Sequence, residues 1–271
     1  MSRLAGYGGA VFVAQQIVED CEDAWNEQVD GDVTLTLETS DVKVGSGCQK
    51  MVQAAGLANG DIMASEVVSS MDLSGYTVLY CWAKSTVTVA AGTYRILLDN
   101  DANCASPEVE CDLPALTANE WKFCQCAVAT GAFSGANAVI SVGIELQAND
   151  PGAATLYIDH IEAAKTVAGI RAWSVDETME TQDVTTFADG GHRVFLPTLD
   201  SWSGTFEGFK DGAPLPIGTV IGLELRESST ATQQWRGSAI ITGRHPKNTV
   251  EGVIEYAYDF QGTHALEAPT T

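Results

Sequence analysis

The sequence predicts an all-β protein, and three observations predict it. Amphipathic helical periodicity is almost absent from the chain. Short runs that alternate apolar and polar residues recur instead, separated by Gly, Asn, Asp, Ser or Pro. The composition is also uneven, which divides the β-structure in two. Between Gln16 and Lys165 stand 22 acidic and 6 basic side chains, a net of −16, whereas the remainder carries 14 and 8, a net of −6. All seven cysteines fall inside that acidic window. At 271 residues the chain has room for two ordinary domains, each with its own core.

The strands follow in order. "GGAVFVA", ending at Ala14, is a β-branched and aromatic run behind a glycine-rich approach, and a lone strand of this kind needs a partner. Six runs mark the middle region: "DVTLTLET", "GYTVLYCWAKS", "TYRILLDN", "EWKFCQCAVA", "AVISVGIELQ" and "ATLYIDHIEAA". Alternation places Trp121, Phe123, Gln125 and Ala127 on one face of the fourth, with Cys124, Cys126 and Val128 on the other. About eight strands of this length suit a two-sheet jelly roll. After Lys165 come "TVAGIRAWSVDET", "SWSGTFEGF", "GTVIGLELRES", "QQWRGSAIITGR" and "VEGVIEYAYDFQG". The segment Met179 to Asp200, with Gly190-Gly191 and Pro197, predicts a loop with one short helix. The tail from Thr263 predicts a loosely ordered end.

The C-terminal region resembles the major tail (tail tube) proteins of long-tailed bacteriophages. The resemblance is carried by Trp173-Ser174-Val175-Asp176, Asp183-Val184-Thr185, Trp202-Ser203-Gly204 with Phe206-Glu207-Gly208, and Phe260-Gln261-Gly262, in the family's order. The resemblance implies that "AGYGGAVFVA" forms a hairpin with "TVAGIRAWSVD", although about 150 residues separate them here. A domain inserted at a hairpin tip accounts for the gap. The expected organisation is residues 1–15 plus 166–271 as a discontinuous tail-tube-type β-sandwich or barrel, with 16–165 as the inserted jelly roll. The insert resembles carbohydrate-binding modules through "VEDCEDAW", "KVGSGCQKMV", "LSGYTVLYCWAKS" and "LYIDHIEAA".

These resemblances imply candidate sites. First and last jelly-roll strands lie side by side, so Glu19 and Asp20 would meet Asp159 as ligands of a structural calcium, with carbonyls near Gly45. Sugar binding would need exposed aromatics, with Trp82 and Tyr94 the candidates among Trp25, Tyr76, Trp82, Tyr94 and Trp121; core packing is the competing use of each. The tail-family motif residues are Trp173, Asp183, Trp202, Gly204, Phe206 and Gly208.

The cysteines are odd in number and lack zinc-finger spacing, so buried free thiols are expected, with Cys104 and Cys111 the first pair to test for a bond. The four histidines sit near no nucleophile motif, and no P-loop or dinucleotide fingerprint occurs, so no enzyme activity is expected. A formal charge of −22 argues against a partner gripped through its phosphates. No apolar run approaches the roughly 18 to 20 residues of a membrane span, and the N-terminal glycines argue against a signal peptide.

The tail resemblance implies a virion protein assembled in the host cytoplasm into hexameric rings. Those rings would stack as a tube around a tape-measure protein, bounded by tail-terminator and tail-tip proteins. DNA would pass along an acidic lumen without tight binding. The insert would face outward and would bind glycans. The alternative is a secreted or surface carbohydrate-binding protein with an accessory β-domain.

Overall fold

The protein is seen in a computed structural model that describes residues 9–26, 28–210, 213–228, 233–248, 250 and 252–269. The start of the opening run, Leu4 to Gly8, and the final Thr270 and Thr271 lie outside the described residues. The fold is all-β, with antiparallel strand pairing throughout the described ladders. Contacts divide it into two compact units, 1–13 with 166–271, and 14–165. The division falls after Val13, within strand β1 (Ala10–Glu19), which runs on past Gln15.

The 14–165 unit holds the rest of β1, then β2 (Gln28–Val29), β3 (Val33–Glu38), β4 (Cys48–Gln53), β5 (Asp61–Met71), β6 (Val78–Ser85), β7 (Tyr94–Asp99), β8 (Val109–Asp112), β9 (Lys122–Gly131), β10 (Val139–Leu146) and β11 (Ala154–Thr166). One sheet runs β3-β4-β11-β6-β9 and the other β9-β8-β7-β10-β5-β2. Strand β9 serves both: Lys122 to Cys126 pair with β6, and Ala127 to Gly131 pair with β8. Gly131 permits the end of that strand, since at φ +72° a Cβ would lie 1.8 Å from the Glu108 carbonyl oxygen. Between the sheets pack Trp25, Met51, Met63, Leu79, Ile96, Ile144 and Ile158, all buried. Cys124 and Cys126 point into this core, and Phe123 lies on the opposite face, stacked on Tyr80 at 5.3 Å.

The other unit contains β12 (Ile170–Asp183), β13 (Phe195–Phe209), β14 (Val220–Arg226), β15 (Gln234–Lys247) and β16 (Glu255–Gly262), ordered β12-β13-β16-β15-β14-β1. The sheet curls toward closure. The Trp173 indole N–H donates to the Arg226 carbonyl at 3.2 Å, and the Val167 amide donates to the Val11 carbonyl at 2.8 Å. Its core is Trp202, Phe206, Tyr258 and Phe260 with Val11, Val13, Leu223, Leu225 and Ile241. Alternation on β13 and β16 sends these aromatics to one face, where Phe206 stacks on Tyr258 at 5.0 Å.

Three expectations are corrected here. The opening strand pairs on one side with β14, Ala10 to Val13 against Leu223 to Arg226, and on the other with β11, which ends at Thr166, the first residue of "TVAGIRAWSVD". The rest of that segment, from Ile170, forms β12, whose ladder is with β13 and not with β1, while the Val167 amide adds one bond to Val11 beyond the β11 edge. The expected loop and helix at 179–200 are the outer part of the β12–β13 hairpin, with a turn at 184–194 that contains no helix. The described tail is held rather than loose: Arg236 and Glu267 exchange backbone hydrogen bonds of 3.0 and 2.8 Å, and the His264 carbonyl accepts from the Trp202 indole at 2.8 Å.

Candidate functional site

Carboxylates at the end of β1 and just beyond it converge, but not as expected. Ligand atoms of Glu19, Asp20 and Asp23 lie within 4.8 Å of one another, and Asp159 is outside that group. Asp159 is fully buried, its Oδ2 accepting the amides of Lys43 (2.7 Å) and Val44 (3.1 Å), while its Oδ1 has no hydrogen-bond partner. Burial pushes the Asp159 carboxyl above the usual carboxylate range, and burial followed by the nearby Asp20 does the same to Glu19. Gly45, at φ +71°, leaves room for the Glu22 carboxylate, which accepts the Ser46 amide and hydroxyl. The donors are hard oxygens of the kind calcium takes, and a cation beside Asp159 Oδ1 would relieve a buried unpaired oxygen. Two of the three clustered acids, Asp20 and Asp23, are exposed.

Trp82 and Tyr94 do not form a stacking platform. Trp82 is 4 % exposed, packed against Phe123 at 5.3 Å, and Tyr94 is 1 % exposed, its hydroxyl donating to Gln53 Oε1 at 3.0 Å. Each is consumed by packing, as large aromatics usually are. Trp25 is buried as well. The half-exposed aromatics of the β3-β4-β11-β6-β9 sheet are Trp121 and Tyr157, edge to face at 6.1 Å. Lys84 Nζ lies 4.2 Å from the Tyr157 ring centre and 5.3 Å from that of Trp121. Lys50 Nζ stands 5.8 Å from Tyr157. Asp41 accepts from both the Lys84 ammonium and the Trp121 indole. Tyr157 was missed in the sequence because its neighbours Ile158 and Asp159 dominate that run; the alternation L-Y-I-D places it opposite the buried Leu156 and Ile158.

The thiols are free and buried, as expected. Cys104 rests against Ser141 Oγ at 3.3 Å, whereas Cys111 faces the core, and the Cys81 sulfur lies 3.8 Å from that of Cys126. Burial pushes Cys48, Cys104 and Cys111 up to about 12, so these thiols are protonated and inert near neutral pH.

In the other unit the tail-motif residues have structural work. Trp202 lies flat on Gly237 and Gly262, where a Cβ would come within 2.6 and 2.0 Å of the indole. Gly204 and Gly208 let β12 approach β13, since a Cβ would stand 2.1 Å from the Ser174 carbonyl oxygen and 2.2 Å from that of Gly169. Trp173 closes the sheet, Phe206 fills it, and Asp183 ends β12 by accepting the Thr185 amide at 3.0 Å. A groove of about 420 Å³ includes Arg171, His245, Lys247 and Glu255, with its charges paired internally: Arg171 to Glu255 at 3.1 Å and Lys247 to Glu255 at 3.4 Å.

The hairpin of β12 and β13 is the most exposed element of this unit. Every residue of β12 from Glu177 and of β13 up to Ser201 is exposed, so both faces of the ribbon meet solvent. Met179, Phe187, Phe195, Leu196 and Leu199 all project from it.

No protein-family model matches the chain, and no curated protein sequence matches it. Among solved structures, the chain is similar to the tail of an empty gene transfer agent particle refined with C6 symmetry. The identity is 22 % and the TM-score 0.34, over 40 % of this chain and 87 % of that one. It is also similar to an exo-β-agarase, at 11 % identity and TM-score 0.36, over 56 % of this chain and 25 % of that one. A protein described as sugar-binding from Bacteroides thetaiotaomicron is similar at 12 % identity and TM-score 0.32, over 56 % and 94 %.

Proposed function

We propose that the chain is a structural virion protein, a tail tube subunit that assembles with copies of itself into stacked hexameric rings. The observation that carries this reading is the β12–β13 hairpin. A two-stranded ribbon with both faces in water is marginal by itself, and one that projects five large apolar side chains has an association surface. A second copy of the chain is the occupant that the tail-family resemblance of this unit supplies. On that reading the tape-measure protein would fill the tube, terminator and tip proteins would close it, and DNA would traverse it past acidic walls. Electron microscopy of the purified protein tests the reading: tubes or six-fold rings are expected, and they should vanish when Phe187 and Leu199 are both replaced by Ser. Wild-type protein that stays monomeric at high concentration would overturn it.

For the inserted unit we propose a glycan-directed role, with a structural calcium beside Asp159. The unpaired, buried Oδ1 of Asp159 supports the ion, which would neutralise desolvated carboxylates and fix the strand ends. Added calcium should raise the melting temperature of the wild type, and Asp159→Asn should abolish that rise. An identical melt with calcium and with chelator would remove the ion from the reading.

A further inference from the structure

The 14–165 unit is strongly acidic, yet its few cations are not scattered. Three of its six basic side chains, Lys43, Lys50 and Lys84, gather on one face of the β3-β4-β11-β6-β9 sheet. Register explains the gathering. Thr36, Lys50, Tyr157 and Lys84 are successive cross-strand partners on β3, β4, β11 and β6, so they form one row. Lys122 pairs with Ala83, which brings Trp121, one residue earlier, to the end of the same row. Lys43 arrives from the loop between β3 and β4 and sits 5.5 Å over the Trp82 ring.

That loop also supplies Asp41, whose side chain is half exposed. One of its oxygens accepts from Lys84 and the other from the Trp121 indole at 2.7 Å. Glu38 stands in the same relation to Lys50, at 3.4 Å. A carboxylate therefore already bridges an ammonium and an indole N–H at the rim of a half-exposed aromatic pair. Charge-assisted hydrogen bonds of this kind are what a ligand anion would exploit. The flat apolar face of a Trp beside them suits the C–H face of a ring.

We propose that this row is a binding site for an acidic saccharide, a sugar bearing a carboxylate or a sulfate. The inference rests on the glycan-directed reading of the inserted unit and adds the chemical class and the face. The anionic group displaces Asp41 and lies between Lys84 Nζ and Trp121 Nε1, the sugar ring rests on Trp121, and Lys50 takes a neighbouring charge or hydroxyl. The surrounding acidity sets the selectivity. An anion is attracted at this row and repelled elsewhere on the unit, so binding is local to one or two sugar residues.

The test is affinity electrophoresis of the full-length protein through gels containing polygalacturonate, dextran sulfate or plain dextran, with tetragalacturonate calorimetry for the constants. Retardation by an acidic polymer and not by plain dextran is expected, weakening as salt is added. Trp121→Ala should weaken binding about tenfold, and Lys50→Ala severalfold. Asp41→Ala should tighten it severalfold by removing the internal competitor. Because Trp121→Ala disturbs packing, Trp121→Phe serves beside it: the ring is kept, the N–H is lost, and an intermediate affinity is expected. Retardation by dextran sulfate alone supports the site with sulfate as its anion. Retardation by plain dextran to the same extent, or acidic binding that Trp121→Ala leaves unchanged, overturns the proposal while leaving a glycan-directed role intact. Absence of retardation by every polymer overturns both.

Discussion

Trp202 shows how one side chain ties three segments of its unit together. Its ring lies on Gly237 of β15 and Gly262 of β16 and meets Phe260 edge-on at 5.9 Å, while its N–H holds the chain at His264. Trp202→Ala should therefore cost about 3–5 kcal/mol, the usual loss for a buried Trp, and should also release the 263–269 segment. Urea denaturation reads the first effect and limited proteolysis the second. Glu38 carries a pH signature of the other unit. The Ser40 hydroxyl and amide, with Lys50 behind them, pull its carboxyl down to about 2. A carboxyl held lower in the folded than in the unfolded chain stabilises above the ordinary glutamate range, and that stabilisation is lost as pH falls toward the lower value. Glu38→Gln should thus lower the melting temperature near neutral pH, with the difference shrinking as pH falls through about 2 and wild type and variant converging below it.

At the scale of the element, β12 and β13 illustrate what small residues permit. Gly204 faces the Ser174 carbonyl so closely that Gly204→Ala must part the strands or bend β13, and a cost of about 3 kcal/mol is expected in chemical denaturation. Gly152, where a Cβ would meet open space but φ is +76°, is the comparison site; Gly152→Ala there should cost only the backbone strain, about 1 kcal/mol. Most strands were legible because they alternate β-branched and aromatic residues, as in β6, β7 and β10. Strand β5 was not, since "DIMASEVVSSM" mixes Ala, Ser, Met and Glu, and tertiary pairing with β10 overrides that weak local preference. In the sequence, Gly190-Gly191 and Pro197 suggest breaks and so a loop with a short helix where the outer β12–β13 hairpin stands; the glycines occupy the turn, and β13 carries the proline on an exposed stretch. The site was less legible than the fold. Which face an aromatic takes depends on register, so Trp82 and Tyr94 went inward while Tyr157, hidden in the closing strand, went to the half-exposed row.

On the scale of the molecule, the two hydrophobic clusters share no residue: one is built within 14–165 and the other from 1–13 with 166–271. Each unit thus has its own cooperative core, and calorimetry should resolve two transitions rather than one. Replacing residues 14–165 by a short turn should leave the transition of the 1–13 and 166–271 unit near its original temperature; loss of both would show that this unit depends on the other for its stability. The connections that make this possible are β1 and β11, neighbouring strands that each carry the chain across a boundary. Adjacent strands lie about 4.8 Å apart, so the host must hold only two chain ends at one ladder spacing. Any β-domain whose first and last strands are neighbours presents the same two ends. Paired first and last strands thus let one β-domain stand in for another with no change to the strands on either side.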